Sequence, residues 1–441
     1  MSSCDTSLRG LRAMYHTFGC KLNFAETATI AGRLAALGVA KAEGGEEPDL
    51  IVVNSCSVTA EADRKCARAI RSMHRRYPSA AIAVTGCYAQ LKPDEVAALP
   101  GVAVVAGADR KMDIDAFVER WMATRTQVSE VTATADIRDF RPSCSRGDRT
   151  RYFLKVQDGC DYWCTYCTIP RARGRSRSGS IDSIVEQAAR AAAEGGREIV
   201  ITGVNIGDFG KGREDTFLDL IRELDLVEGI ARYRISSIEP NLLTDGIIDF
   251  VASSRAFMPH FHIPLQSGSD EVLALMRRHY DTALFASKIE RIRSAMPDAF
   301  IGVDLIAGAR GETAALFEAS RRFVDSLDIS RLHVFPYSER PGTRALGIDH
   351  VVSAEDKHRR AAAMIELSDA KWTAFADRFR GAVRPVLLEH PRGEGAPMAG
   401  FTDNYLRVEV PDAPASLDNQ IVEVRLGAAD PATETVEGSL A

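Results

Sequence analysis

Nowhere in the 441 residues does an apolar run approach the roughly 18 residues a spanning helix needs, so a membrane protein is not expected. The first ten residues, MSSCDTSLRG, have no apolar stretch of the kind a secretory leader carries. Cysteine is sparse, nine in the whole chain, which excludes a disulfide scaffold and turns attention to metal binding or catalysis. There is no basic excess either. The net charge is −6, so any nucleic-acid site must be a local patch and not a coat. Internal repeats and low-complexity tracts are missing too. What is present, 45% apolar and 26% charged residues, supports packed cores and about three domains. A cytoplasmic protein is expected, where cysteines more often bind metal or take part in catalysis.

The chain alternates strand and helix signals. RAMYHTF (12–18), DLIVV (49–53), AAIAVT (80–85) and VAVVA (102–106) read as strands, with helices over Glu26 to Leu37 and Ala60 to Arg76. This pattern predicts an α/β domain over residues 10–125, built as a doubly wound parallel sheet. Residues 124–140 read as a connector with one edge strand. Six further strand signals follow, at 152–157, 198–202, 232–238, 261–265, 300–306 and 331–337, each trailed by a helix. They predict a partial (β/α)6 barrel over residues 146–377, with chemistry gathered at the strand C-terminal ends. Residues 378–441 change to short strands at 384–390, 404–410 and 420–426, separated by Gly, Pro and Asp, and predict a small all-β barrel.

Three cysteines crowd one loop, Cys160, Cys164 and Cys167 in GCDYWCTYC. A C-x3-C-x2-C loop can turn three thiolates onto one centre and leave one metal position without a protein ligand. A 4Fe-4S cluster, normally held by four cysteines, would then keep one iron open. A structural zinc ion is the competing reading, but it calls for four ligands, and only the distant Cys144 could complete it. Cys20, Cys56 and Cys87 form a dispersed second set. Each follows a predicted strand of the first domain, in GCKLN, NSCSVT and TGCYAQ. In a parallel sheet those strand ends share one edge, where ligand sites form. Either the three converge or they are unrelated strand-end residues. Cys4, Cys66 and Cys144 fit neither set.

GCDYWCTYCTIPRARGRSRS resembles the signature of radical S-adenosylmethionine (SAM) enzymes. Together with Cys20, Cys56 and Cys87, with ISSIEP (235–240), HIPLQSGSDEVL (262–273) and HVFPYSERPGT (333–343), the chain resembles the methylthiotransferase family along nearly its whole length. NSCSVTAEADRKCARAIR and TGVNIGDFG are most similar to its threonylcarbamoyladenosine branch, the MtaB type. The resemblance implies a methylthiotransferase N-terminal domain, a radical SAM core and a C-terminal TRAM barrel. It implies two 4Fe-4S clusters and SAM as cofactors, with Cys160, Cys164 and Cys167 on the radical cluster and Cys20, Cys56 and Cys87 on an auxiliary one. A hydrogen-abstracting radical made from SAM would open C2 of an adenine, and the auxiliary iron would deliver the sulfur. The implied partners are tRNA and an electron donor such as a flavodoxin or ferredoxin, with the sulfur source unspecified. Within this chemistry, isopentenyladenosine in tRNA and an aspartate of a ribosomal protein are alternative substrates. A non-catalytic iron–sulfur or zinc protein that binds RNA is an alternative of another class. One departure stands out: where the family often has Gly-Phe-Pro-Gly-Glu, this chain has Gly308-Ala309-Arg310-Gly311-Glu312, and Arg310 could meet a cofactor or RNA group.

Strand-end positions are the candidate lining of the cofactor pocket: Gly203, Ser236, Ser237, Glu239, Gln266, Ser267, Asp304, Pro336 and Tyr337. Each could equally serve to fix a loop. Tyr162 and Trp163 could shield the cluster or simply pack. Between 138 and 177, ten basic residues oppose four acidic ones, a net of +6, and include Arg171, Arg173 and Arg175. Arg64, Arg68, Arg71 and Arg75 share one face of a helix. Both sets suit RNA phosphates; the alternative is a solvated or ion-paired surface. The last barrel holds six Arg against ten acidic residues, so it would grip RNA only through placed residues such as Arg384, Arg407 or Tyr405, or would meet a protein partner instead.

Overall fold

The structure, a computed structural model, describes residues 7–145, 150–391, 393 and 396–441. Cys4 and, from the basic segment, Arg146, Asp148 and Arg149 lie outside the described residues.

The first sheet is wholly parallel. Its strands are β1 (Arg12–Thr17), β2 (Ala40–Lys41), β3 (Leu50–Ser55), β4 (Ala81–Gly86), β5 (Val102–Ala106) and β6 (Val128–Glu130), in the order β2-β1-β3-β4-β5-β6. The apolar runs of β3, β4 and β5 are buried along their length, as a sheet covered on both faces requires. Helices α1 (Lys21–Ala36), α2 (Ala60–Arg76), α3 (Cys87–Leu91), α4 (Pro93–Ala97) and α5 (Ile114–Thr124) supply the cover. Val52, Ala83 and Val104 face Ile30, Leu34 and Phe117 of α1 and α5. Val53, Ile82 and Val84 face Cys66 and Ile70 of α2 and Tyr88 of α3. Cys66 is thus an ordinary core residue. The strand order reverses between β1 and β3, and a crevice at such a switch point is where doubly wound sheets bind ligands. Helix α1 begins at Lys21, directly after Cys20, five residues earlier than its apolar periodicity predicts.

The central unit carries β7 (Ser143–Cys144), β8 (Arg151–Lys155), a small antiparallel pair β9 (Gln157–Asp158) and β10 (Arg177–Ser178), then β11 (Glu198–Thr202), β12 (Arg232–Ile235), β13 (His260–Gln266), β14 (Phe300–Ala307) and β15 (Arg331–Pro336). Strands β8, β11 and β12 pair in parallel, as do β13, β14 and β15. Two isolated parallel bridges, Tyr233 to Phe257 and Ser237 to His262, join the halves. The six strands therefore follow one another as an open barrel wall. Cys144 pairs antiparallel with Leu154 at its edge and packs into the core with Tyr152 and Ile199, away from the cysteine loop.

Strands β16 (Val383–Glu389), β17 (Met398–Thr402), β18 (Arg407–Val410), β19 (Ile421–Asp430) and β20 (Thr435–Leu440) close a barrel in the order β16-β17-β18-β20-β19. It caps the N-terminal end of the open barrel, opposite the cysteine loop. Arg232 donates to the carbonyls of Phe401 and Pro385, both at 2.8 Å, and Arg234 to those of Asp403 and Thr402 at 2.8 and 2.7 Å. Glu198 receives the Arg234 guanidinium at 2.9 Å. This docking corrects two RNA candidates. Arg384 is spent on a bidentate pair with Asp403 at 2.9 and 2.8 Å. The Tyr405 ring lies 4.2 Å from that of His260, inside the joint.

Candidate metal centres and cofactor pocket

The dispersed cysteines are drawn to one edge of the parallel sheet. Cys20 follows β1 and precedes α1, Cys56 follows β3, and Cys87 opens α3 straight after β4. Close packing fixes these loops. A Cβ on Gly19 would stand 2.9 Å from Cys56 Sγ, and one on Gly86, whose φ is +96°, would stand 2.3 Å from the Ser55 carbonyl oxygen. Glycine is needed at both places. Asn23 ties the loops together: its amide donates to the carbonyls of Phe18 at 2.7 Å and Ser55 at 3.2 Å. Cys20 Sγ lies 4.0 Å from Asn23 Oδ1. Burial, then the neighbouring Cys87, pushes the Cys56 thiol up to about 11. Burial raises Cys87 as well, against the pull of Arg173 and Lys111.

The clustered cysteines follow β9. The Cys160 amide donates to the Gly174 carbonyl at 3.1 Å, and the Cys167 amide to that of Cys164 at 3.1 Å, which curls the loop. Each sulfur has a donor: Tyr162 N at 3.5 Å from Cys160, Ile169 N at 3.4 Å from Cys167, and Arg278 Nη1 at 3.0 Å from Cys164. Burial, the first cause, raises Cys160 and Cys167 to about 12. Tyr162 is buried and stacks on His279 with centroids 4.2 Å apart, while Trp163, at a left-handed φ of +52°, stands half exposed. Of the two, only Tyr162 is packed against the cysteine loop.

Eight of the nine cysteines are described, and all eight are free thiols. Among the described residues no three Cys, His, Asp or Glu surround a point that a single metal ion could occupy. The donor chemistry of each trio, soft sulfur with one position short of four, fits a larger iron–sulfur core.

Around the mouth of the open barrel, the expected strand-end residues take distinct roles. Glu239 pairs with Arg278, which also bonds Tyr280 Oη at 3.0 Å, so the carboxylate positions the arginine that touches Cys164. Burial raises the Glu239 pKa, and Arg278 opposes it. Asp304 pairs with His262 Nε2 at 2.7 Å, and His333 stacks on His262 at 5.0 Å. Gln266 ends β13 at a φ of +67°, a left-handed conformation uncommon for non-glycine residues. Ser236 and Ser267 are buried, and Ser237 bridges to His262 of β13. A Cβ on Gly203 would meet Ile206 at 2.8 Å, so the backbone there turns tightly. Tyr337, after Pro336 at the end of β15, is buried, and its hydroxyl has no hydrogen-bond partner among the described residues. Asn205, just past Gly203, has both amide atoms buried beside Tyr162 and outside any regular hydrogen bond among the described residues, while Asp208 Oδ2 is 3.7 Å from Lys211 Nζ. Orphaned polar atoms at a strand end are what a pocket for a zwitterionic cofactor such as SAM requires.

The two cysteine loops meet. Thr168 Oγ1, after Cys167, donates to the Ser57 carbonyl, after Cys56, at 3.3 Å. Arg340 Nη2 clamps the joint through Ser57 Oγ at 2.7 Å and Asp63 Oδ2 at 3.1 Å. Beside it lies a buried charge network. Glu26 receives Lys111 at 2.6 Å, Lys155 at 2.9 Å and Arg173 at 3.1 Å; Asp158 receives Lys155 at 2.6 Å and Arg173 at 2.9 Å. Arg173 also donates to Asn23 Oδ1 at 2.6 Å. The expectation that Arg173 reaches RNA is corrected: it is 1% exposed and fully engaged. Arg310 is likewise taken, by Glu339 at 2.8 Å and the Leu346 carbonyl at 2.6 Å. Arg171 and Arg175 remain exposed. The α2 stripe is exposed as expected, although Arg64 and Arg68 share Glu61 at 2.6 and 2.5 Å.

Sequence reasoning missed Asn23, Glu26, Lys111, Lys155, Asp158, Asn205, Arg278 and Arg340. A signal existed for some of them. Lys155 interrupts the apolar strand YFLKV, and Glu26 sits on the buried face of α1. A charge at such a position needs a partner.

Comparison with known proteins agrees with this architecture. Residues 12–107 match the model of the uncharacterized protein family UPF0004, and residues 154–324 that of the radical SAM superfamily. A protein of Bacillus subtilis, the threonylcarbamoyladenosine tRNA methylthiotransferase MtaB, is 36% identical over 403 residues, covering 89% of each chain. The protein of the same name from Thermotoga maritima is 36% identical, over 89% of this chain and 90% of its own. The tRNA-2-methylthio-N(6)-dimethylallyladenosine synthase of Maricaulis maris is 31% identical over 97% of both. Among solved structures, the radical SAM methyltransferase TsrM of Kitasatospora setae superposes with a TM-score of 0.59 at 13% identity, covering 81% of this chain and 89% of that one, and so shares the fold. With relatives at this identity across nine-tenths of its length, the chain belongs to the radical SAM methylthiotransferase family.

Proposed function

We propose that this enzyme methylthiolates C2 of N6-threonylcarbamoyladenosine beside the anticodon of tRNA. The observation that carries the reading is the meeting of two incomplete thiol sets, one from each domain, at the Ser57–Thr168 contact. The relatives named for threonylcarbamoyladenosine, at 36% identity, support the substrate. On this reading residues 10–125 carry the auxiliary site, 146–377 the radical site and 378–441 a TRAM domain.

Cys160, Cys164 and Cys167 would hold one 4Fe-4S cluster with SAM at its open iron, and Cys20, Cys56 and Cys87 a second. When bound, these groups supply one-electron hydrogen abstraction and the transferred sulfur. The chain's own part is positioning. Arg278, fixed by Glu239, orients the Cys164 sulfur. Asn205, Ser236, Ser267, Gln266 and Gly203 would bind the polar end of SAM. Tyr162, stacked on His279, excludes water from the Cys160 side. Lys21, next to Cys20, makes no hydrogen bond or ion pair among the described residues, although Asp304 and His333 both feel its charge. That half-buried cation, which His260 and Tyr405 feel as well, would suit the carboxylate of the threonyl group. The exposed α2 arginines would take backbone phosphates.

The test is an assay of the reconstituted enzyme on an anticodon stem-loop bearing threonylcarbamoyladenosine or isopentenyladenosine, with mass analysis of the nucleosides. Methylthiolation of the first alone is expected. Modification of the second alone moves the chain to the other tRNA branch, and modification of neither overturns the tRNA reading.

A further inference from the structure

The buried network beside Cys20 and Cys87 is not neutral. Among the described residues Lys111, Lys155 and Arg173 face only Glu26 and Asp158, and the side chains of all five are 3% exposed or less; burial acts to lower the Lys111 pKa, and its contact with Glu26 opposes that. Arg177, at the rim and 3.2 Å from Asp158, adds to the excess. Water cannot screen it. A buried charge without a partner is among the costliest features a fold can carry, so the surplus cation calls for an anion. The neighbouring groups that could supply one are thiols. Arg173 reaches Cys20 through a single residue: its Nη2 lies 2.6 Å from Asn23 Oδ1, which lies 4.0 Å from Cys20 Sγ. The field of Arg173 is felt at Cys87 and Cys56, and that of Lys111 at Cys87. The radical trio has no such surplus, because Arg278 is matched by Glu239.

We propose that the surplus buried cation of Lys111, Lys155 and Arg173 is the counter-charge of an iron–sulfur cluster held by Cys20, Cys56 and Cys87, retaining that cluster and raising its reduction potential above what a neutral pocket would give. This rests on the two-cluster reading. Three thiolates around a 4Fe-4S core carry a net negative charge, which deepens on reduction. A fixed cation in a dry site stabilises the more negative state, so the potential rises. The network also joins α1 and the segment after β5 to β8, β9 and the helix after Cys167, so the charge stays in register with both loops.

The test uses the full chain with Cys160, Cys164 and Cys167 replaced by Ala, so that only the auxiliary site can bind iron. Failure of that protein to bind iron sinks the two-cluster reading itself. Given iron, redox titration followed by electron paramagnetic resonance is run on Lys111→Met, Lys155→Met and Glu26→Gln in the same background. The two lysine variants should each lower the midpoint potential and lose iron faster to a chelator; Glu26→Gln should raise the midpoint. Should Glu26→Gln fail to fold, the lysine pair decides. As a separate readout, Lys111→Met should melt higher than its parent in the iron-free state, where the surplus has no partner. Midpoints that do not move, or that move alike for Lys111→Met and Glu26→Gln, overturn the assignment, as does an iron-free Lys111→Met protein that melts lower.

Discussion

The two thiol sets are assembled by different routes. Cys160, Cys164 and Cys167 depend on a short loop whose spacing is written in eight consecutive residues. Cys20, Cys56 and Cys87 depend on a whole sheet: each follows its own strand, Gly19 and Gly86 permit the close approach of the loops, and Asn23 ties the Cys20 and Cys56 loops together. The loop set is polarised by one matched pair, Arg278 and Glu239, whereas the sheet set lies beside an unbalanced network. A local motif can be lost with one substitution in its loop. A dispersed site can be lost through residues far from any cysteine.

The sharpest break in that comparison comes from the loop. Replacing Cys160, Cys164 and Cys167 with Ala should remove one cluster's iron and abolish 5′-deoxyadenosine formation, read by iron counting and chromatography. The matching triple change at Cys20, Cys56 and Cys87 should remove a similar amount of iron yet leave deoxyadenosine formation in place. The next largest effect belongs to the network. Glu26→Ala leaves three buried cations facing a single carboxylate and should cost about 3–5 kcal/mol in chemical denaturation. Burial acts to raise Glu26, but Arg173, Lys111 and Lys155 outweigh it and hold its carboxyl well below the usual range, and Asp158 is lowered in the same way. Groups with depressed pKa values stabilise the fold above their unfolded pKa, near 4. That contribution is lost as pH falls, so unfolding should set in below about pH 5, and a Glu26→Gln profile should be flatter there.

Smaller effects follow at the joint and on the surface. Arg340→Ala removes charged hydrogen bonds to Ser57 and Asp63 and should cost roughly 1.5–3 kcal/mol. Deoxyadenosine formation should persist while methylthiolation falls, because only the meeting of the two loops is loosened. Substituting Arg71 and Arg75 with Ala should change stability by less than about 0.5 kcal/mol. It should still weaken tRNA binding and make the salt slope shallower by about one for each phosphate no longer neutralised, read by binding titrations at several salt concentrations.

The difference in legibility follows the same division. The strand runs and all six cysteines could be read because each is marked locally, by an apolar run or by a cysteine at its end. The two-residue strand β2 and the strands at 398–402 and 435–440 carry too little pattern to be seen. The network could not be read as a network, since Lys111, Lys155 and Arg173 meet Glu26 across 85, 129 and 147 residues. Arg173 misleads for a related reason. It sits among surface arginines in sequence, and only the packing of two domains makes it a core residue. Arg384 and Tyr405 mislead in the same way, consumed by the docking of the last barrel.

The central claim is that two separate thiol sets each hold a cluster. Mössbauer spectroscopy with iron counting, on the reconstituted wild type and the two triple-Ala variants, tests it most directly. The account predicts two 4Fe-4S signatures in the wild type and one, a different one, in each variant. A variant that loses all its iron, or that keeps the full wild-type complement, would contradict it.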